Sequence, residues 1–122
     1  MLIRHLTGDP PEMAARATKA LAGSVELLLA DLIVAECVYV LESFYEVPRE
    51  RVAELMRAAI ALPTIKTLDP ATLLRALEVY EVDRLDFAEA YLIAQAEATG
   101  IDTILSFDKS IDRVSAVTRR VP

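Results

Sequence analysis

Short apolar runs alternate with segments of helical periodicity along the whole chain, and this alternation limits the possible folds more than any other feature. The apolar runs of strand length cover residues 25–30, 64–68, 103–107 and 114–121. Strands that are separated by helices are joined by crossover connections, which pair them in parallel. We therefore expect an α/β fold whose ligands bind beyond the carboxyl ends of the strands.

Proline, glycine and aspartate residues mark the expected helix boundaries. Asp9, Asp31 and Asp69 are expected to act as N-caps, and Gly100 as the stop of the last helix. The predicted helices cover 2–6, 10–21, 32–45, 48–60, 70–82 and 85–99.

Length and composition indicate one domain with a substantial core. A chain of 122 residues is of single-domain size, and its hydrophobic fraction of 54% predicts a sheet covered on both faces or an apolar surface for a partner. No apolar stretch reaches the roughly 18 residues that span a bilayer, and the first residues do not resemble a secretory signal. The single cysteine, Cys37, excludes an internal disulfide, fits a reducing cytoplasm and is expected in the core.

The net charge of −6 argues against a module that binds nucleic acid through phosphate contacts alone. It is compatible with a nuclease, because carboxylates that hold a metal ion add negative charge which the cation offsets. It also suits a basic protein partner. Five cationic residues could touch RNA phosphates, or could be solvated surface charges. They are Arg4, Lys109, Arg113, Arg119 and Arg120.

Carboxylates occur inside three otherwise apolar segments. Glu36 lies on an apolar helix, Asp86 and Glu89 open another, and Asp108 ends the run 103–107. A buried carboxylate is costly unless a positive charge compensates it. A divalent metal with oxygen ligands compensates several carboxylates at once. If the fold brings these segments together, the chain is a metal-dependent enzyme.

Each of these carboxylates also has a purely structural interpretation. Asp108 could cap the turn that follows it, and Glu36, at the border of an apolar arc, could be an ordinary surface residue. Asp86 and Glu89 could form a capping box in the first turn of their helix, where the dipole favours anions. A cation would explain both acids, whereas capping is expected to explain only one of them.

Other chemistries have little support in the sequence. His5 is the only histidine and lies far from any nucleophile motif, which excludes a Ser–His–Asp site and makes zinc improbable. Three aromatic residues on the helix of Glu36 are candidates for an interface, although we expect them in the core. They are Tyr39, Phe44 and Tyr45.

The segments LIVAECVYVLESFY, LDFAEAYLIAQAEATG and TILSFDKSID, with their acids in this order and spacing, resemble the PIN-domain nucleases. The resemblance covers essentially the whole chain and is to the VapC-type toxins of bacterial toxin–antitoxin pairs. It implies a single PIN-like domain over residues 1–122, with a flavodoxin-like α/β/α sandwich around a parallel sheet. It further implies a Mg²⁺- or Mn²⁺-dependent endoribonuclease that acts in the cytoplasm, forms a homodimer and is neutralised by an antitoxin protein.

The resemblance extends to individual acidic positions. Glu36 matches the family's second acid and Asp108 its fourth, while Glu89 stands where the third is usually Asp. Asp86 matches a frequent additional Asp. The implied catalytic and metal-binding residues are Glu36, Asp86, Glu89 and Asp108. Two further positions resemble the surroundings of that site, Ser106 and, as an outer contributor, Asp112.

One departure from the family concerns its first acid, which lies in an Asp-Thr-Asn segment at the end of a central strand. Met1 falls inside the helix that follows this segment, so the strand and its acid are expected to be missing from the chain. Three explanations are open: a start placed too late, a degenerate inactive copy, or another chain that fills the position. The second explanation makes an inactive, antitoxin-binding PIN domain the alternative function.

A phosphoacceptor receiver domain is a third hypothesis, because it too gathers carboxylates at strand ends. It requires an Asp at the end of a middle strand and a Lys at the end of a late one. Asp31 instead leads directly into a helix, and Lys109 follows Asp108 rather than replacing it. Similarity of fold class alone is weak evidence for this function.

Overall fold

The computed structural model of the chain describes residues 2–23, 25–115 and 117–122. These residues form two compact units, Met1–Leu68 and Asp69–Pro122. Both units are rich in helix, and each contains one small sheet of two parallel strands. None of the helices in the described residues is long and apolar enough to cross a membrane.

The first unit contains four helices and two short strands. The elements are α1 (Leu2–Thr7), α2 (Pro11–Leu21), β1 (Leu27–Leu28), α3 (Asp31–Ser43), α4 (Arg49–Ile60) and β2 (Ile65–Lys66). Strands β1 and β2 pair in parallel, with Leu27 opposite Ile65. The Thr64 hydroxyl, which precedes β2, donates to the carbonyl oxygen of Leu21 at 2.5 Å. This bond fixes the end of α2 to the start of β2.

Two of the three expected N-caps in this unit and the next differ from the prediction. Helix α2 begins after Pro10, which offers no side-chain cap, and Asp9 instead accepts a hydrogen bond from the Tyr45 hydroxyl at 3.2 Å. Asp31 is the first residue of α3, with Ala30 at the N-cap position. In both helices the N-cap lies one residue away from the predicted position. An N-cap needs extended backbone geometry, and Pro10 and Ala30 adopt it here.

The second unit contains two long helices, a 3₁₀ helix and two strands. The elements are α5 (Pro70–Val82), α6 (Phe87–Thr99), β3 (Thr103–Leu105), the 3₁₀ helix Lys109–Arg113 and β4 (Thr118–Arg120). Asp69 caps α5 as predicted, because its Oδ1 accepts the Thr72 backbone N–H at 3.2 Å. Gly100 ends α6 in the left-handed conformation, with φ of 76°. Strands β3 and β4 pair in parallel.

Helices α5 and α6 pack against each other and are joined by a salt bridge. Arg75 on α5 donates from Nε and Nη2 to the two carboxylate oxygens of Glu97 on α6, at 2.8 and 3.2 Å. Apolar side chains with no solvent exposure fill the second unit, including Leu73, Leu77 and Ile93. The result is a rigid helical support for the first turn of α6.

The apolar arc expected on α3 is narrower than its sequence suggests. Cys37 is buried as predicted, at 4% exposure. Tyr39 and Phe44 are instead 69% and 75% exposed, so the expectation that they belong to the core is wrong. The reason is that the buried stripe of α3 consists of positions three and four apart. Its buried residues are Val34, Cys37, Val38 and Leu41.

The predicted alternation of helices with parallel strands is confirmed, but each strand is shorter than its apolar run. For example, the run 25–30 contributes only Leu27 and Leu28 to a strand. In β3, Leu105 and the following Phe107 are exposed, whereas Ile104 is buried. The sheets in the described residues have two strands each. The continuous sheet of an α/β/α sandwich therefore stays a prediction, and so does the single domain that would contain it.

Candidate functional site

Three of the four predicted carboxylates lie in the second unit, at the start of α6 and just after β3. Asp86 and Glu89 belong to the first turn of α6, and Asp108 follows β3 by three residues. The charges of Asp86 and Asp108 both act on Glu89. The structure therefore brings these three acids into one electrostatic cluster, which we call the second-unit carboxylate cluster.

Asp86 has the capping role that the sequence suggested as its structural interpretation. It occupies the N-cap of α6, and its Oδ1 accepts the backbone N–H of Glu89 at 2.9 Å. Its side chain is exposed, so the second carboxylate oxygen faces solvent. Capping therefore fixes the orientation of Asp86 and leaves it able to bind a further ligand.

Glu89 has no comparable structural role for its side chain. The Oε2 atom is shielded from solvent and has no hydrogen-bond partner in residues 2–23, 25–115 and 117–122. Burial raises the pKa of this carboxyl above its ordinary value, and the charges of Asp86 and Asp108 raise it further. A shielded carboxylate oxygen beside two other acids is a position that favours a cation.

Asp108 sits in a tight turn that the end of β3 leads into. Its backbone N–H donates to Ser106 Oγ at 2.9 Å, and its Oδ1 accepts the Ser110 N–H at 2.9 Å. Hydrogen bonds from Ser110 lower the pKa of Asp108, and the charges of Arg113 and Arg119 lower it further. The turn-capping interpretation is thus correct, and the same bonds keep this exposed carboxylate ionised and fixed in place.

Arg119 on β4 links the 3₁₀ helix to the turn that contains Asp108. Its position in the sequence did not reveal this role. Its Nε and Nη2 donate to the two carboxylate oxygens of Asp112 at 3.0 and 3.1 Å. Its Nη1 donates to the Ser106 carbonyl oxygen at 3.3 Å. The only sequence signal for this contact is an arginine in the middle of a terminal strand, a position that would otherwise suit an apolar residue.

Arg113, another predicted phosphate contact, also has partners within the chain. Its Nη1 donates to the carbonyl oxygens of Asp83 and Arg84 at 3.3 and 3.2 Å. These carbonyls belong to the segment between α5 and α6, so Arg113 links the 3₁₀ helix to the residues that immediately precede Asp86. Both bonds come from Nη1, so a phosphate contact by Arg113 would use its Nε and Nη2 hydrogens.

Glu36, the fourth predicted acid, lies on α3 in the first unit, and its side chain is exposed. It precedes the buried thiol of Cys37, whose pKa is raised by burial and further by the Glu36 charge. Its participation in a shared site with the second-unit carboxylate cluster stays a prediction.

The donor atoms of the cluster suit a divalent cation in kind. They are hard carboxylate oxygens with excess negative charge, and one of them, Glu89 Oε2, is shielded and unpartnered. Their spacing is less favourable: within the described part of the chain, no three His, Cys, Asp or Glu residues are grouped so that they could hold a metal ion. The cluster thus has the chemistry of a metal site, without a group of three ligands among the described residues that could hold the ion directly.

Comparison with known proteins identifies a family. A family model described as "PIN domain" matches residues 1–117, nearly the whole chain. PIN domains are generally nucleases that act on RNA or DNA and use divalent metal ions. The chain has no significant match to a curated protein or to a solved structure.

Proposed function

The chain belongs to the PIN domain family, and from this membership and the second-unit carboxylate cluster we propose that it is a metal-dependent endoribonuclease. We propose more narrowly that it is the toxin of a type II toxin–antitoxin pair, hydrolysing RNA phosphodiester bonds with Mg²⁺ or Mn²⁺. The observation that carries this proposal is the shielded, unpartnered Oε2 of Glu89, whose carboxyl is flanked by two other acids.

The proposed ligands are Glu36, Asp86, Glu89 and Asp108. A bound Mg²⁺ or Mn²⁺ supplies Lewis-acid activation of water and stabilises the charge that develops on the phosphate. Glu89 offers a desolvated anionic oxygen, and Asp86 is oriented by its capping bond. Asp108 is held ionised by the Ser110 hydrogen bonds.

The proposed partners are the RNA substrate, a second copy of the chain and an antitoxin protein, all in the cytoplasm. Exposed aromatic and aliphatic side chains on α3 support a protein interface, because clustered apolar surface marks such contacts. They include Leu32 and Tyr39, which are 71% and 69% exposed, and Phe44 at the C-cap of α3, which is 75% exposed. The acidic net charge of −6 suits a basic segment on the antitoxin.

The direct test is cleavage of RNA by the purified chain with and without divalent metal. We expect cleavage with Mg²⁺ or Mn²⁺, none in EDTA, and strong loss in Glu36→Gln, Glu89→Gln and Asp108→Asn. Glu54→Gln is the matched control, because Glu54 lies on α4 in a surface pair with Arg51. Equal activity of Glu89→Gln and Glu54→Gln would remove the cluster from the mechanism.

A second candidate function is a catalytically inactive PIN domain that binds an antitoxin. The acids form no metal-holding group of three within the described residues, and this favours the alternative. Calorimetric titration with Mn²⁺ separates the two functions. Heat of binding that disappears in Glu89→Gln supports the nuclease, whereas no binding at millimolar Mn²⁺ supports the inactive protein.

A further inference from the structure

Helices α1 and α2 of the first unit line an open surface cavity of about 420 Å³, to which two arginines contribute. Its lining residues are Arg4, Met13, Arg16 and Ala17. We infer that this cavity binds a phosphodiester group of single-stranded RNA, with the guanidinium groups of Arg4 and Arg16 as the anion-binding elements. The inference rests on the proposed function, since it supplies a place where the RNA substrate is held.

The two arginines are carried by helices whose mutual position is fixed. His5, next to Arg4, is joined through Nδ1 to the Thr18 hydroxyl of α2 at 2.7 Å. Ala17 on α2, next to Arg16, is buried at 5% exposure. Because each arginine adjoins one of these contacts, the two guanidinium groups reach the cavity from a preformed support.

Neither arginine of the cavity forms an ion pair with another described residue. Residues 2–23, 25–115 and 117–122 supply no carboxylate within ion-pair distance of Arg4 or Arg16. Asp9 lines a neighbouring cavity together with Arg4, at no ion-pair distance from it, and its carboxylate accepts the Tyr45 hydroxyl. In a chain of net charge −6, two unpaired arginines beside one cavity indicate an anionic ligand from outside.

The shape and lining of the cavity favour a nucleotide over a simple ion. A planar guanidinium donates two parallel hydrogen bonds to phosphate oxygens, and two such groups can hold one phosphodiester from both sides. The volume lies in the roughly 300–1,000 Å³ range of ligand pockets, which exceeds the need of a bare anion. Met13, which is 42% exposed, adds a polarisable surface against which a base can lie.

The experiment measures binding of a fluorescent single-stranded oligouridine to the whole chain in EDTA, so that no cleavage occurs. The variants are Arg4→Gln, Arg16→Gln and their combination. Lys66→Gln on β2 is the matched control, because it removes the same charge from an exposed position of the same unit. We expect several-fold weaker binding in each arginine variant and a salt slope reduced by about 0.7 per lost phosphate contact.

Arg4→Lys and Arg16→Lys add a second test that keeps the charge. We expect these variants to bind more weakly than the wild type, because lysine lacks the bidentate fork. Thermal melting of every variant should match that of Lys66→Gln, since neither arginine has an ion-pair partner to lose.

Three outcomes would overturn the inference. The first is that the arginine variants bind the oligonucleotide like Lys66→Gln, and the second is that the wild type does not bind it at low salt. The third is that oligoglutamate binding depends on both arginines as strongly as oligonucleotide binding does. Cleavage of RNA with Mn²⁺ and its loss in Glu89→Gln report on the proposed function separately. The nuclease can therefore stand while this cavity is excluded, and RNA binding here can stand without cleavage.

Discussion

The backbone N–H of Glu89 donates to Asp86 Oδ1 at 2.9 Å, while Oε2 of Glu89 itself has no hydrogen-bond partner among the described residues. The two acids of this first helical turn thus have opposite situations. Asp86 is used by the fold as a cap, and Glu89 is held by the fold in an unfavourable environment. A residue that stability alone would replace with glutamine or an apolar side chain is a candidate for function.

Glu89→Gln is expected to stabilise the metal-free chain at neutral pH while reducing nuclease activity by roughly 100-fold or more. The substitution keeps the shape of the side chain and removes the repulsion from Asp86 and Asp108. Thermal melting in EDTA and RNA cleavage with Mn²⁺ measure the two effects. Glu54→Gln controls for the loss of one surface charge, and a lower melting temperature for Glu89→Gln than for this control would contradict the prediction.

The raised pKa of Glu89 predicts that mild acid stabilises the metal-free protein. Relative to its ordinary value of 4.5, the folded state holds the Glu89 proton more tightly. The contribution of Glu89 to the free energy of unfolding therefore falls as pH rises from about 4.5 through the folded pKa. Above that range the ionised carboxylate destabilises the fold to its full extent. The pKa values of Asp108 and Asp112 are lowered in the folded state. The stabilisation from these two groups is therefore lost only below about pH 3.8, their ordinary pKa.

The measurement is the melting temperature in EDTA between about pH 5 and pH 7. We expect the difference between Glu89→Gln and the wild type to shrink on acidification, because protonated glutamate and glutamine are both uncharged. At neutral pH, Mn²⁺ should stabilise the wild type and not the variant. A difference that stays constant with pH would show that Glu89 carries no penalty in the folded state.

The two long helices of the second unit could be predicted almost to the residue, and the reason is local chemistry; the 3₁₀ helix Lys109–Arg113 was not predicted. Asp69 and Gly100 mark helix ends through their own hydrogen bonds and backbone geometry, so no distant part of the chain is needed to identify them. Asp9 and Asp31 failed as predicted caps because Pro10 and Ala30 take the N-cap positions, and the Asp9 carboxylate accepts the Tyr45 hydroxyl instead. A capping residue type in the sequence therefore locates a helix start only to within a residue or so.

The candidate site shows the same division. The roles of Asp86 as a cap and of Asp108 in a turn follow from nearby residues and could be read from the sequence. The contact of Arg119 with Ser106 depends on the register between β3 and β4, which the sequence does not specify. The strands were predicted too long because apolar runs indicate burial, and only a neighbouring strand defines the ladder.

Gly100→Ala should destabilise the second unit by about 1 kcal/mol through backbone strain alone. Gly100 has φ of 76°, and a Cβ built there would meet nothing within 4 Å. Steric clash is thus excluded, and only the left-handed conformation opposes the change. Urea unfolding measures the loss, with Gly100→Asn as a control that should lose less because asparagine tolerates this conformation. Equal stability of Gly100→Ala and the wild type would contradict the strain argument.

Arg119→Gln should loosen the Ser106–Asp108 turn and weaken Mn²⁺ binding without unfolding the chain. Arg119 joins Asp112 to the Ser106 carbonyl, and Ser106 Oγ in turn accepts the Asp108 N–H. Loss of the Arg119 contacts is expected to raise the amide hydrogen-exchange rates of Asp108 and Ser110 several-fold, while exchange in α5 and α6 is unchanged.

Arg119→Lys separates positioning from charge in this prediction. Lysine keeps the positive charge but cannot bind Asp112 and the Ser106 carbonyl together, so it should restore only part of the Mn²⁺ affinity. Because Arg119 acts through Asp108, the metal concentration for half-maximal cleavage should rise more than the rate at saturating metal falls. Full recovery with lysine would mean that Arg119 contributes charge alone, and unchanged exchange at Asp108 would remove it from the support of this carboxylate.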